Sequence, residues 1–131
     1  MLRAAGVRGD ERQVYLRFKD AGQVDLSPFG GVTQALEINR ICEAEGIPCW
    51  IGGMLESALG ASVCKALATL PNMKYPSDVF PSTRFYTEDL STPPIELSGP
   101  SQMMLSDTPG AGAEPIPERL ERQTIDRAVI R

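Results

Sequence analysis

An α/β fold made of consecutive strand–helix units is what this sequence predicts, and three observations carry that prediction. Two helical patterns, at residues 31–46 and 55–70, each follow a short apolar segment. The second of these segments, "IPCWIGG" at 47–53, shows no polar alternation, as befits a strand covered on both faces of a parallel sheet. The chain length of 131 residues suffices for one hydrophobic core and not for two.

The elements follow in order. In residues 1–21 only "QVYLRF" (13–18) has a pattern: Val14, Leu16 and Phe18 alternate with polar residues as in a half-buried strand, between solvent-like flanks. That segment is otherwise unassigned. "QVDLS" (23–27) reads as a strand, and "GVTQALEINRICEAEG" (31–46) as a helix with Val32, Ala35, Leu36, Ile38, Ile41 and Cys42 on its apolar side. Gly46 stands where a left-handed C-terminal cap belongs. After the strand at 47–53, a second helix carries Leu55, Leu59, Val63, Ala66, Leu67 and Leu70 at spacings of three and four. Pro71 ends it. "SDVF" (77–80) is expected to be a third strand, which makes the middle of the chain a consecutive run of an α/β sheet or barrel. Beyond residue 90 the sequence turns rich in Pro, Gly and Ser, with "IEL" and "QMML" as expected strands and "PERLERQT" as a helical turn or two begun by a proline. Ile95, Leu97, Met103, Met104 and Leu105 there need another surface to pack on.

Composition removes several functions. With 13 Lys+Arg against 17 Asp+Glu and a formal net charge of -4, neither a nucleic acid nor an anionic membrane is an expected partner. No apolar run approaches the roughly 20 residues that span a bilayer, and the first residues lack the apolar middle of a secretion signal. A cytoplasmic location is expected. His is absent, which excludes a Ser-His-Asp triad and an imidazole metal ligand from this chain. Cys42, Cys49 and Cys64 match no metal knuckle and no CxxC motif, and are read as small buried hydrophobes in a reducing compartment.

Candidate site residues cluster at strand ends. "VDLSPFGG" (24–31) presents Ser27, whose hydroxyl donates a hydrogen bond but, without a neighbouring base, accepts no proton near neutral pH. In "GGMLES" (52–57), the N–H groups of Gly52, Gly53 and Met54 at a helix start suit a carboxylate, with Glu56 beside them. The same residues also suit a plain tight turn with Glu56 favouring the helix dipole. Asp25 faces an interior or pairs locally. Ser82 and Arg84 follow the third expected strand, and Arg84 has Phe85, Tyr86, Glu88 and Asp89 as neighbours to stack on or pair with. "PGAGAE" (109–114) lacks the Lys of a phosphate loop and is read as a turn.

"GQVDLSPFGGVTQALEINRICEAEGIPCWIGGMLESALGASVCKALATLPN", "SDVFPSTRFYTEDL" and the Gly/Pro-rich tail together resemble the C-terminal part of the enolase superfamily, over about residues 22–131. Within it the chain is similar to the muconate-lactonizing group that includes o-succinylbenzoate synthases and N-acylamino-acid racemases. The resemblance implies a partial (β/α) barrel: residues 22–90 would supply the last three βα units, strands six to eight, and residues 91–131 a segment of the capping domain. A whole barrel of this type takes on the order of 250 residues, so a truncated product or a piece of a longer enzyme is the expectation.

The resemblance also implies a chemistry. The parent enzyme would use Mg2+ or another divalent metal to abstract a proton α to the carboxylate of a small substrate. The metal ligands would lie on earlier strands, none of them in this chain. Glu56 falls at the family position that hydrogen-bonds the substrate carboxylate as it becomes an enediolate, a task that requires it protonated and partly desolvated. Gly52, Gly53, Met54 and Ser82 would line the substrate. Ser27 stands where the racemase-like branch carries a lysine followed by proline and a longer glycine loop, here about two residues shorter. Without that amine a two-base racemization is disfavoured, and a dehydratase or cycloisomerase reaction fits better. The partner would be the remaining barrel and capping domain or a second copy of the chain. The competing reading is a catalytically silent fragment or assembly module, lacking metal ligands and base.

Overall fold

A computed structural model describes residues 31–129 together with the backbone of Val24 and Asp25. The expected strand at 13–18, Ser27 and the side chain of Asp25 lie outside the described residues. Two compact units are present, one running through Gly53 with Cys64–Val79, the other Met54–Val63 with Phe80 onward.

The first unit is built on a strand–helix–strand run. β1 (Val24–Asp25) pairs in parallel with β2 (Cys49–Trp50), Val24 opposite Cys49 and Asp25 opposite Trp50. Between them in sequence lies α1 (Val32–Ala44). Its buried stripe is Ala35, Ile38, Asn39 and Cys42, the i, i+3, i+4, i+7 spacing of one helix face. Val32 and Leu36, expected on that face, are 43% and 42% exposed, because successive 100° steps carry both onto the flank of the stripe. The helix ends as its sequence requires. Gly46 has φ of 69°, its N–H bonds Glu43 O at 3.1 Å, and the Ile47 N–H bonds Cys42 O at 2.8 Å, which together make a Schellman motif.

β2 has a neighbour on its other side as well. The Cys49 N–H bonds Asn72 O at 2.9 Å, the Lys74 N–H bonds Cys49 O at 3.0 Å, and Met73 bridges Cys49 in parallel. The third extended contact is therefore at 72–74, and the strand expected at 77–80 is absent. Proline at 76 and 81 brackets that segment, and a residue without an N–H cannot donate to a ladder. Val79 instead packs its side chain against the core formed by Ala35, Ile38, Cys42, Cys49 and Ile51. Buried polar groups here are satisfied: Asn72 Nδ2 donates to Ile47 O at 3.0 Å and reaches Asn39 Oδ1 and Cys49 Sγ, each at 3.4 Å. Cys42 and Cys49 are buried free thiols, as expected of small core hydrophobes, whereas Cys64 is only partly buried. Contact with the Cys42 thiol, together with burial, pushes the Cys49 thiol far up, so it stays protonated.

α2 (Ala58–Leu67), whose residues through Val63 belong to the second unit, starts three residues later and ends three residues earlier than the periodicity predicts. Its buried positions are the small residues Ala58, Ala61 and Ser62. Leu55, placed on the apolar side by spacing alone, precedes the helix and is 60% exposed. A 3-10 turn at Ser82–Arg84 leads to β3 (Ser91–Thr92), antiparallel to β4 (Glu114–Pro115) with Ser91 opposite Pro115. α3 (Pro117–Gln123) opens on its proline as read from the sequence. The strands expected in "IEL" and "QMML" do not form. Only an isolated bridge, Gly99 to Gln102, lies there. Ile95 is buried at 3% exposure, whereas Leu97, Met104 and Leu105 are exposed. Among the described residues no helix is long and apolar enough to cross a membrane.

Candidate active site

In the first unit, the chain after β2 narrows around Gly53. Its N–H donates to the Asp78 carboxylate, and a Cβ added there would crowd the Asp78 carbonyl and come within 3.0 Å of Val79 Cα. Backbone cannot yield as a side chain would, so only glycine fits at 53. Gly52 is buried.

The remainder of "GGMLES" belongs to the second unit. The Met54 N–H donates to Glu56 Oε2 at 2.7 Å, and Glu56 is half-buried. A Cβ on Gly60 would lie 3.1 Å from Glu56 Cβ and 3.2 Å from its Cγ, so the Glu56 side chain rests on a surface that Gly60 leaves bare. The Tyr86 hydroxyl donates to Leu55 O at 2.7 Å. Met54 itself is 68% exposed. Of the residues singled out by sequence, the fold thus joins Met54 to Glu56 through one hydrogen bond.

Ser82 is placed differently. It is 1% exposed, and its hydroxyl donates to the Asp89 carboxylate. Asp89, 6% exposed, also receives the Ala58 N–H on both oxygens, at 2.8 and 3.1 Å. The Ser91 N–H and hydroxyl complete the set at 2.7 and 2.8 Å. Burial alone raises the Asp89 pKa, but the combined hydrogen bonds from Ser82, Ser91 and Ala58 outweigh it and hold the carboxyl below its ordinary 3.8. The bonds of Asp89 and Ser91 to α2 are what sequence reasoning missed, since their partners lie 31 and 32 positions upstream; the sequence offers Asp89 only as a neighbour for Arg84. Arg84 stacks on the Phe80 ring, 5.2 Å from its centroid, a cation-over-ring contact of the expected kind made with a ring other than Phe85 or Tyr86. Glu88 pairs instead with Arg122 at 2.8 Å, at the edge of a groove of about 390 Å³ that Phe85, Tyr86, Leu90 and Arg119 also line.

A divalent ion of the enolase type needs several oxygen ligands converging on one point. Among the described residues no group of three or more His, Cys, Asp or Glu side chains is arranged to hold one, so these residues do not by themselves fit the metal.

A parallel βαβ run such as that of the first unit is a building block of α/β domains. The chain belongs to the enolase C-terminal domain-like family, which matches residues 6–119. Its relatives include an N-succinylamino acid racemase of Amycolatopsis sp, 44% identical over 82% of this chain and 29% of the relative. An o-succinylbenzoate synthase of Bacillus subtilis (strain 168) is 38% identical over 67% of this chain and 24% of that protein. An enolase-superfamily member from Listeria innocua Clip11262 superposes with a TM-score of 0.64 at 33% identity, covering 71% of this chain and 25% of that structure. The chain thus spans less than a third of the length of these relatives.

Proposed function

We propose that this chain forms the C-terminal part of an enolase-superfamily lyase or isomerase, acting on a small carboxylate by removing the proton next to it. Glu56 carries this reading. It sits before α2, half-buried, with Oε2 accepting the Met54 N–H at 2.7 Å, and as a hydrogen-bond donor through its carboxyl group it would stabilise charge developing on a substrate carboxylate. Gly52 and Gly53 shape the strand end, and Ser27 occupies the position at which racemase-like relatives carry an acid/base lysine. A serine there supports elimination or cycloisomerization over two-base racemization. Mg2+ or another divalent metal, bound by residues outside those described, would supply the stabilisation of the enediolate, and the remaining barrel and cap or a second copy would complete the site.

The test is a chimera in which this chain replaces the 109 residues of the Amycolatopsis racemase that it matches. With Ser27 in place, racemization of an N-succinylamino acid is expected to fall by about 100-fold or more relative to the same chimera carrying Ser27→Lys. Dehydration of the o-succinylbenzoate precursor is expected to persist in both. Equal racemization by the two chimeras removes the role given to position 27. A folded chimera inert in every assay supports the competing reading, a catalytically silent module.

A further inference from the structure

We propose that Asp89 is a positioning residue for Glu56: it clamps the start of α2 and thereby fixes the turn from which the Glu56 carboxyl group is presented. The inference rests on the active-site reading of Glu56 for its functional meaning, but its structural content stands independently. Helix starts leave their first N–H groups unpaired, and a nearby Ser, Thr, Asp or Asn ordinarily caps them. Here the caps come from far along the chain. Ala58 N–H is held by both oxygens of Asp89, and Leu59 N–H by Ser91 Oγ at 2.9 Å. Asp89 is itself locked by the Ser82 hydroxyl and by Ser91. On the other side of Glu56, Tyr86 holds Leu55 O at 2.7 Å.

Residues 55, 58 and 59 are therefore each tied to the segment 82–91, and Glu56 lies within the tied stretch. Two further contacts aim its side chain: the Met54 N–H on Oε2 and the bare flank of Gly60 beneath Cβ and Cγ. An aspartate that only stabilised the helix would need no connection to the Met54–Glu56 bond. A positioning aspartate must control it, because moving the first turn of α2 displaces both Glu56 and the Gly60 surface on which it rests.

Amide hydrogen exchange on the full chain distinguishes the two. In Asp89→Asn, exchange at Ala58 and Leu59 is expected to accelerate about tenfold or more, as fits the loss of a charge-assisted hydrogen bond, and Met54 exchange is expected to rise with it. Gly60→Ala is expected to accelerate Met54 alone, leaving Ala58 and Leu59 protected. Faster exchange at Ala58 with Met54 unchanged in Asp89→Asn would overturn the proposal. So would unchanged exchange at all three residues. Asp89→Glu, which keeps the charge, should restore part of the protection at all three. In an active chimera Asp89→Asn should lower kcat more than it raises KM. Altered exchange in a chain whose chimera is inert would leave the clamp standing and remove only the catalytic reading.

Discussion

At the scale of single residues, Asp89 shows how a buried charge is kept. Its carboxylate is nearly inaccessible yet surrounded by donors from Ser82, Ser91 and Ala58, so ionisation is favoured by hydrogen bonding against the cost of burial. The sign of the pH effect follows. A carboxyl with a folded pKa below its unfolded value contributes stability that is full above the unfolded value of about 3.9. That contribution is lost as pH falls through the folded value, which lies below 3.8. Urea unfolding of the wild type and Asp89→Asn is expected to show a gap of about 1–3 kcal/mol at neutral pH, narrowing on acidification through that window. A gap independent of pH would show that the charge is not what matters. Asn72 offers a neutral counterpart in the first unit. Asn72→Ala removes the donor to the buried Asn39 Oδ1 and leaves the Ile47 carbonyl with the weak Cys49 thiol donor, and is expected to cost about 1–3 kcal/mol, read as a lower urea midpoint with unchanged slope.

At the scale of elements, α1 and the two parallel strands β1 and β2 were legible, falling within the expected 31–46, 23–27 and 47–53, and the other strands were not. α1 and its glycine stop could be read because both depend on neighbours within a few residues: a stripe repeating every 3.6 positions and a Schellman cap closed by Gly46 and Ile47. The strands here are two residues long and each exists only through a distant partner, so a local apolar run is not sufficient: "IPCWIGG" pairs with β1, whereas "SDVF", bracketed by prolines, does not. The start of α2 escaped for the same reason, its caps lying at Asp89 and Ser91 and not in the adjoining sequence. Gly52, Gly53 and Glu56 could be singled out because the glycine turn is local, whereas the commitment of the Ser82 hydroxyl to Asp89 is not. The C-terminus of α1 supplies a clean test. At Gly46 nothing lies within 4 Å of an added Cβ, so Gly46→Ala meets only the left-handed backbone penalty and is expected to cost about 1–2 kcal/mol. Calorimetry that finds no loss of Tm would mean that the cap relaxes freely.

At the scale of the whole molecule, the balance between covered and uncovered apolar surface leads to a prediction about association. Among the described residues the fully buried hydrophobics are mostly small, with Ile38, Ile51 and Ile95 the bulkiest, while Leu36, Met54, Leu55, Leu97, Met104, Leu105 and Leu120 are each more than 40% exposed. Parallel strands as short as β1 and β2 are normally found deep within larger sheets covered on both faces. The chain supplies under a third of the length of its enolase-superfamily relatives. Burying a fully exposed leucine or methionine is worth about 1.5–3 kcal/mol, and these, 42–72% exposed, have roughly half of that still to gain, so covering several of them matters beside the 5–15 kcal/mol by which a domain is typically stable. Association that covers them binds the folded form and not the unfolded one, which makes the thermal midpoint depend on concentration. Light scattering and calorimetry on one preparation over a roughly 100-fold concentration range should therefore show an associated species and a Tm that climbs with concentration. A monomer melting cooperatively at one fixed temperature would mean that the exposed leucines and methionines are tolerated as surface, and that neither a second copy nor further barrel is needed to hold the turn carrying Glu56.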